Sequence, residues 1–134
     1  MTKKELKQYI WIQDNIKYLE DKLEELKTTA ANTNTKLSDM PKGSPSKDSL
    51  ANIVCKIVEV QEKVNKEVEK GYQKMKEIEK SIENLDEREK RLIRLRYIKG
   101  LKWEKICVEM NYSWRQIHRL HAGILKEIRD KNNI

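Results

Sequence analysis

Phenylalanine is absent from the 134 residues, and proline occurs only twice, cysteine twice and glycine four times. With few bulky core-filling rings, 38% of residues charged and a mean hydropathy of -0.88, one thick core is excluded and thin layers are expected. The scarcity of proline and glycine argues against turn-rich β architectures. The abundant Lys, Glu and Leu lose little rotamer freedom in helices, so the expected fold class is all-α. Cys55 and Cys107 stand far outside any metal-ligand or redox-motif spacing and read as small, reduced apolar residues. No apolar run approaches the roughly 18 residues of a membrane span, and Met1-Thr2-Lys3-Lys4-Glu5 leads directly into an amphipathic pattern, so a cytoplasmic protein without membrane contact is expected. A Gly-rich phosphate loop, a carboxylate pair in an evident pocket and a nucleophile with a positioned base are all missing. The sequence therefore predicts neither an enzyme nor a cofactor.

The positive charge is unevenly spread. From Met1 to Leu85 there are 16 Lys and Arg against 15 Asp and Glu, whereas Asp86 to Ile134 carries 13 against 7. Nearly all of the net charge of +7 thus falls in the last third of the chain, which predicts a polyanion-binding surface on one module.

Three segments follow one another. In the first, Tyr9, Ile12, Ile16, Leu19, Leu23, Leu26 and Ala30 keep an unbroken three-four spacing, the seam of a coiled coil, and predict a helix over about 3–31. Both prolines and several turn formers then predict a loop over 32–46. A second helix is expected over 47–84, with Ser46 or Ser49 as cap and Asp48 at the positive end of the dipole. Its seam runs Leu50, Ile53, Ile57, Val60, Val64, Val68, Gly71, Met75, Ile78, Ile82 and Leu85, the two four-residue steps from Val60 to Val68 shifting it as a stutter does. Folding back at the loop pairs Ala30 with Leu50 and Tyr9 with Gly71. That glycine either makes room for Tyr9 or Trp11 or marks a kink. The result is a long antiparallel hairpin over 1–84. Its longer second helix leaves Ile78, Ile82 and Leu85 to pack on the last domain or on another subunit, and the seam serves either the hairpin itself or a homodimer.

The third segment, 85–131, opens with Asp86 as helix cap and Glu89 at the capping-box position and runs to Gly100, suited to a left-handed cap. Two shorter helices follow, over about 102–110 and 114–129. Trp103, Ile106, Met110, Tyr112, Ile117 and Leu120 have the spacing required by two helices crossing through a short turn, with Asn111 at the left-handed turn position and Ser113 as cap of the second helix. With Ile117, Leu120 and Ile124 inward, the start of this helix exposes Trp114, Arg115, Gln116, His118 and Arg119, with His121 and Ala122 one turn on. Arg pairs with guanine O6 and N7, Gln with adenine N6 and N7, and an aromatic lies against a thymine methyl or the sugar-phosphate wall. These five are therefore the expected base-reading residues in a DNA major groove. Lys102, Lys105 and Ser113, at or near helix starts, are expected on phosphates. Trp114 has an alternative place in the core. His118 and His121 have a ligand-like spacing but no second pair of ligands, so no metal is expected.

At these residues the chain resembles region four of bacterial sigma factors, the module that recognises the promoter -35 element. The likeness rests on Leu85-Asp86-Glu87-Arg88-Glu89, Leu95-Arg96-Tyr97-Ile98-Lys99-Gly100, Trp103-Glu104-Lys105-Ile106 and Ser113-Trp114-Arg115-Gln116-Ile117 through Leu125. With the preceding hairpin and the Met40-Pro41-Lys42-Gly43-Ser44-Pro45 loop, the whole chain resembles the small phage-encoded late-gene regulators of the ArpU-like kind. That resemblance implies a transcription activator of phages or prophages, bound to double-stranded DNA at the nucleoid of a bacterial host and acting with host RNA polymerase. Sigma region four has Arg and Glu where this chain has Trp114 and Arg115, and Gln where it has Arg119, so the DNA sequence read is expected to differ. Two rival expectations are a small terminase-like DNA-packaging protein and a sigma mimic that binds polymerase without DNA.

Overall fold

The computed structural model of the chain describes residues 1–38 and 46–131, with side chains over 1–33 and 49–130. The fold is all-α as expected, with no strand among the described residues. Helices α1 (Lys3–Ser38) and α2 (Ser46–Ser81) form the antiparallel hairpin. Helix α3 (Glu87–Ile93) runs into a π-helical turn, Arg94–Ile98, and α4 (Trp103–Met110) and α5 (Trp114–Lys131) complete the chain.

The first helix is longer than its apolar periodicity. It continues through Asn32-Thr33-Asn34-Thr35 to Ser38, where a loop was expected. Asn, Thr and Ser each cost at most about 0.7 kcal/mol relative to Ala in a helix interior, and a helix already propagating over many turns carries them. Thr29 satisfies its hydroxyl within the helix by donating to the Glu25 carbonyl at 2.9 Å. The Pro41 to Pro45 stretch of the expected loop lies outside the described residues. Helix α2 begins at Ser46, one residue before the expected start, and the side chain of Ser46, one of its two expected caps, lies outside the described residues. At its other end α2 stops at Ser81 rather than 84. Asp86 must be extended (φ -72°, ψ 167°) to cap α3, so the chain turns before it, with Leu85 N–H donating to Ile82 O at 3.0 Å.

The chain divides into two compact units, Gln13–Glu69 and Met1–Ile12 together with the chain from Lys70 onward. In the first, Leu19 and Leu23 of α1 pack with Val60 and Val64 of α2, flanked by Leu26 and Ile57. Val68, assigned to the seam from sequence, is 48% exposed. The half-buried residue at this level is Glu67, so the inward face of α2 steps from Val64 to Glu67 to Gly71, and the extra four-residue step falls between Gly71 and Met75.

The second unit has the larger core. Ile78, Ile82 and Leu85 are buried in it with Met1, Leu6 and Tyr9 of the N-terminal turns and with Leu92, Ile93, Leu95, Tyr97, Ile106, Ile117, Ile124 and Ile128. The end of α2 therefore packs on the helices that follow, one of the two outcomes open from sequence. Tyr9 and Gly71 are both buried, while Trp11 is 56% exposed. Asp86 and Glu89 form the expected capping box, Glu89 N–H donating to Asp86 Oδ1 at 2.8 Å. Gly100 adopts the expected left-handed conformation (φ 70°). The π-helical turn before it, closed by Lys99 N–H to Arg94 O at 2.9 Å, has no counterpart in the expected pattern. Glu79 clasps this turn through Arg94 at 2.7 and 3.0 Å, and that hydrogen bond holds the Glu79 carboxyl below its ordinary range.

Candidate nucleic-acid interface

Helix α4 has only eight residues, too few to persist alone in water, and depends on what Ile106 and Met110 bury. It ends at Asn111, whose backbone lies in the left-handed region (φ 56°, ψ 45°), the conformation Asn adopts at least cost after Gly. Tyr112 N–H reaches back to Cys107 O at 3.0 Å and closes the turn. Ser113 then caps α5: its Oγ accepts Gln116 N–H at 3.2 Å, while Gln116 Oε1 accepts Ser113 N–H at 2.9 Å. The short turn and the reciprocal cap fix where the first turn of α5 emerges.

Along α5, Ile117, His121, Ile124 and Ile128 are buried. Arg115, Arg119, Ala122 and Lys126 recur at three- and four-residue intervals on the opposite side and are all exposed. The flank between these faces carries a ladder of rings. Trp114 is 53% exposed and lies 4.4 Å from His118 between ring centres; His118 lies 4.8 Å from Trp103, and Trp103 4.7 Å from His121. Arg96 sits over the Trp103 ring at 4.5 Å, and Tyr97 Oη stands 2.6 Å from His121 Nε2. Burial pushes His121 down to about 4, with Lys3, His118, Arg96 and Lys7 adding repulsion, so its imidazole is neutral at pH 7. Burial also pushes the Tyr97 phenol up to about 12. The ladder thus joins an exposed tryptophan to a neutral pair in the core.

A second surface feature lies on the other flank of α5. Arg88, Glu89, Tyr112, Gln116, Arg119, Leu120 and Gly123 line a groove of about 400 Å³, in which Arg88 Nη1 donates to Tyr112 Oη at 3.4 Å. Among the described residues no group of three or more His, Cys, Asp or Glu is arranged to hold a metal, and no helix is long and apolar enough to cross a membrane.

Residues 31–128 match the model of DUF1492, described as a protein of unknown function, over more than half of the chain. The chain belongs to the DUF1492 family. No curated protein and no solved structure matches it.

The matched part of this DUF1492 chain contains α2 to α4 and α5 as far as Ile128, and hence every DNA-contacting residue expected from sequence. Trp114, Arg115 and Arg119 are brought together on the exposed start of α5, and Lys102 and Lys105 are exposed at the start of α4. Gln116, His118 and His121 differ from these in their surroundings. Gln116 is exposed, yet its Oε1 is engaged by the Ser113 N–H, so a bidentate contact to adenine competes with the cap. His118 is wedged between two tryptophans, with Nε2 buried and without a hydrogen-bond partner, and does not present that nitrogen to a base edge. His121 is buried at 6% exposure, because the α5 stripe facing the π-helical turn has a polar member where the spacing alone showed an outward position. Arg88 was not singled out; its place beside Arg119 depends on how α3 packs against α5, which no local spacing in the sequence records.

Proposed function

We propose that this DUF1492 chain is a sequence-specific DNA-binding transcription regulator, an activator of phage or prophage late genes that works with host RNA polymerase. The observation that carries this reading is the capped α4–turn–α5 unit with Arg115 and Arg119 side by side on an exposed face. A helix end of this width enters a major groove, where guanidinium groups pair with guanine O6 and N7. Arg115 and Arg119 read bases, and Trp114 lies against a thymine methyl or the sugar-phosphate wall. Gln116 and His118 act through position, the first by holding the cap and the second by bracing Trp114. Lys102 and Lys105 contact phosphates, in keeping with the excess of cations after Asp86. The resemblance to sigma region four and to ArpU-like regulators supports the link to transcription.

Selection of bound duplexes from random DNA, followed by transcription from the recovered site with a bacterial RNA polymerase, tests the proposal. The expected result is one enriched motif and stimulated transcription. Absence of enrichment, with binding to all sequences alike, overturns sequence-specific regulation.

A further inference from the structure

The exposed face of α5 does not end with the arginines. Thr2, Lys3, Ala122, Leu125, Lys126 and Arg129 line a groove of about 470 Å³, so the first turn of α1 lies beside the middle and end of α5. Three of these six residues are cations. Arg129 has an acid no closer than Asp130 at 3.9 Å, and neither Lys3 nor Lys126 has an ion-pair partner among the described residues. Of these cations, Lys3 is also near enough to the buried His121 to disfavour its protonation. Collecting like charges around one depression is unfavourable in the free chain, and an anion seated between them reverses the sign of that interaction.

The arrangement is also ordered. Met1 is 7% exposed and Leu6 fully buried, which pins the backbone on both sides of Lys3, and Thr2 Oγ1 accepts Glu5 N–H at 3.3 Å. Ser81 Oγ stands 3.6 Å from the Met1 sulfur. Lys3 is thus delivered to α5 from a fixed turn rather than from a loose tail. Lys126 belongs to the same exposed stripe as Arg115 and Arg119, further along the helix from the groove-entering end. Lysine ammonium groups there suit the spread charge of a phosphodiester better than the paired acceptors of a base edge.

We infer that Lys3, Lys126 and Arg129 form a phosphate-binding site for the DNA backbone flanking the bases read by α5, so that the N-terminal turn of α1 is part of the DNA-binding surface. This rests on the DNA-binding reading given above. Affinity of the full chain for a selected duplex and for a random one is measured at salt concentrations from about 50 to about 200 mM. Lys3→Gln and Lys126→Gln are each expected to weaken both duplexes equally and to flatten the slope of log affinity against log salt by about 0.9, with Lys3→Arg restoring it. An unchanged slope in both glutamine variants, while Arg115→Ala still weakens the selected duplex, overturns this site and leaves the DNA-binding reading intact. Absence of any duplex binding by the unaltered chain overturns that reading and this site with it. Binding of inorganic phosphate that depends on Lys3 and Lys126 without any change in the duplex slope assigns the groove to a free anion and overturns the inference.

Discussion

Among the described residues between Gln13 and Glu69 the buried apolar side chains are Ile16, Leu19, Leu23, Val60 and Val64, each still 6 to 9% exposed. In the other compact unit Leu6, Ile78, Ile82, Leu92, Ile93, Ile106, Ile117 and Ile124 have no exposure at all. Two helices side by side enclose their seam from only two directions, and solvent reaches its edges. In the second unit the N-terminal turns of α1, the end of α2 and α3 to α5 surround the same side chains from every direction. The difference shows where precision is possible. A seam tolerates a shift such as that at Val68, whereas an enclosed core fixes short helices like α4 and, with them, the side chains they display.

Truncating one buried residue in each unit should give the largest difference between them. Ile124→Ala is expected to cost about 3 to 4 kcal/mol, because it removes fully buried methylenes and leaves a cavity in a closed core. Val64→Ala is expected to cost about 1.5 kcal/mol, close to the transfer term alone, since the open seam collapses or admits water. Urea midpoints at constant slope measure both. Equal losses would mean that the two cores do not differ in enclosure.

Acid should act on the enclosed core, which holds the buried His121. Its folded value of about 4 lies below the ordinary 6.5, so the native state resists protonation. Its contribution is fully present above pH 6.5 and is lost as pH falls from there to about 4, by about 3 kcal/mol at most. His121→Gln removes the titrating group, and the fall in urea midpoint across this interval should shrink. An undiminished fall would place the acid sensitivity elsewhere.

Arg115→Ala addresses the display rather than the core. It is expected to lower affinity for the selected duplex by about 1 to 3 kcal/mol, as loss of a bidentate base contact does, while leaving the urea midpoint unchanged because the side chain is exposed. Lys102→Ala should weaken all sequences alike and flatten the salt slope. Reversal of charge at Arg115 and Arg119 that leaves transcription intact would favour a polymerase-binding sigma mimic that never contacts DNA.

Much of this was legible in the sequence because the physics is local. Asp86 with Glu89, Gly100, Asn111 and Ser113 each act on their own backbone within a few residues, and all take the predicted roles. The three-four spacing placed most of both seams. It failed where enclosure comes from distant segments. Leu6 and Met1 precede the regular seam and are buried by helices more than seventy residues away in the chain. His121 is polar, and only the π-helical turn that brings Tyr97 Oη within 2.6 Å makes its burial tolerable. Asn32 to Ser38 continue α1 because weak helix formers of the kind that also fill loops can still propagate a helix already formed.

Gln116 separates local from displayed roles most finely. If its amide serves the cap, Gln116→Ala should lower stability by about 1 kcal/mol or less and weaken selected and random duplexes to the same small extent, as Ser113→Ala should. Gln116→Glu keeps an acceptor for the Ser113 N–H and adds a favourable charge at the helix start, so it should restore the urea midpoint. A base-reading amide predicts the opposite pattern. Alanine would then relax preference at one adenine position without moving the midpoint, and Glu would shift preference towards cytosine N4. Since Oε1 is already bound at 2.9 Å within the first turn of α5, the cap is the expected role.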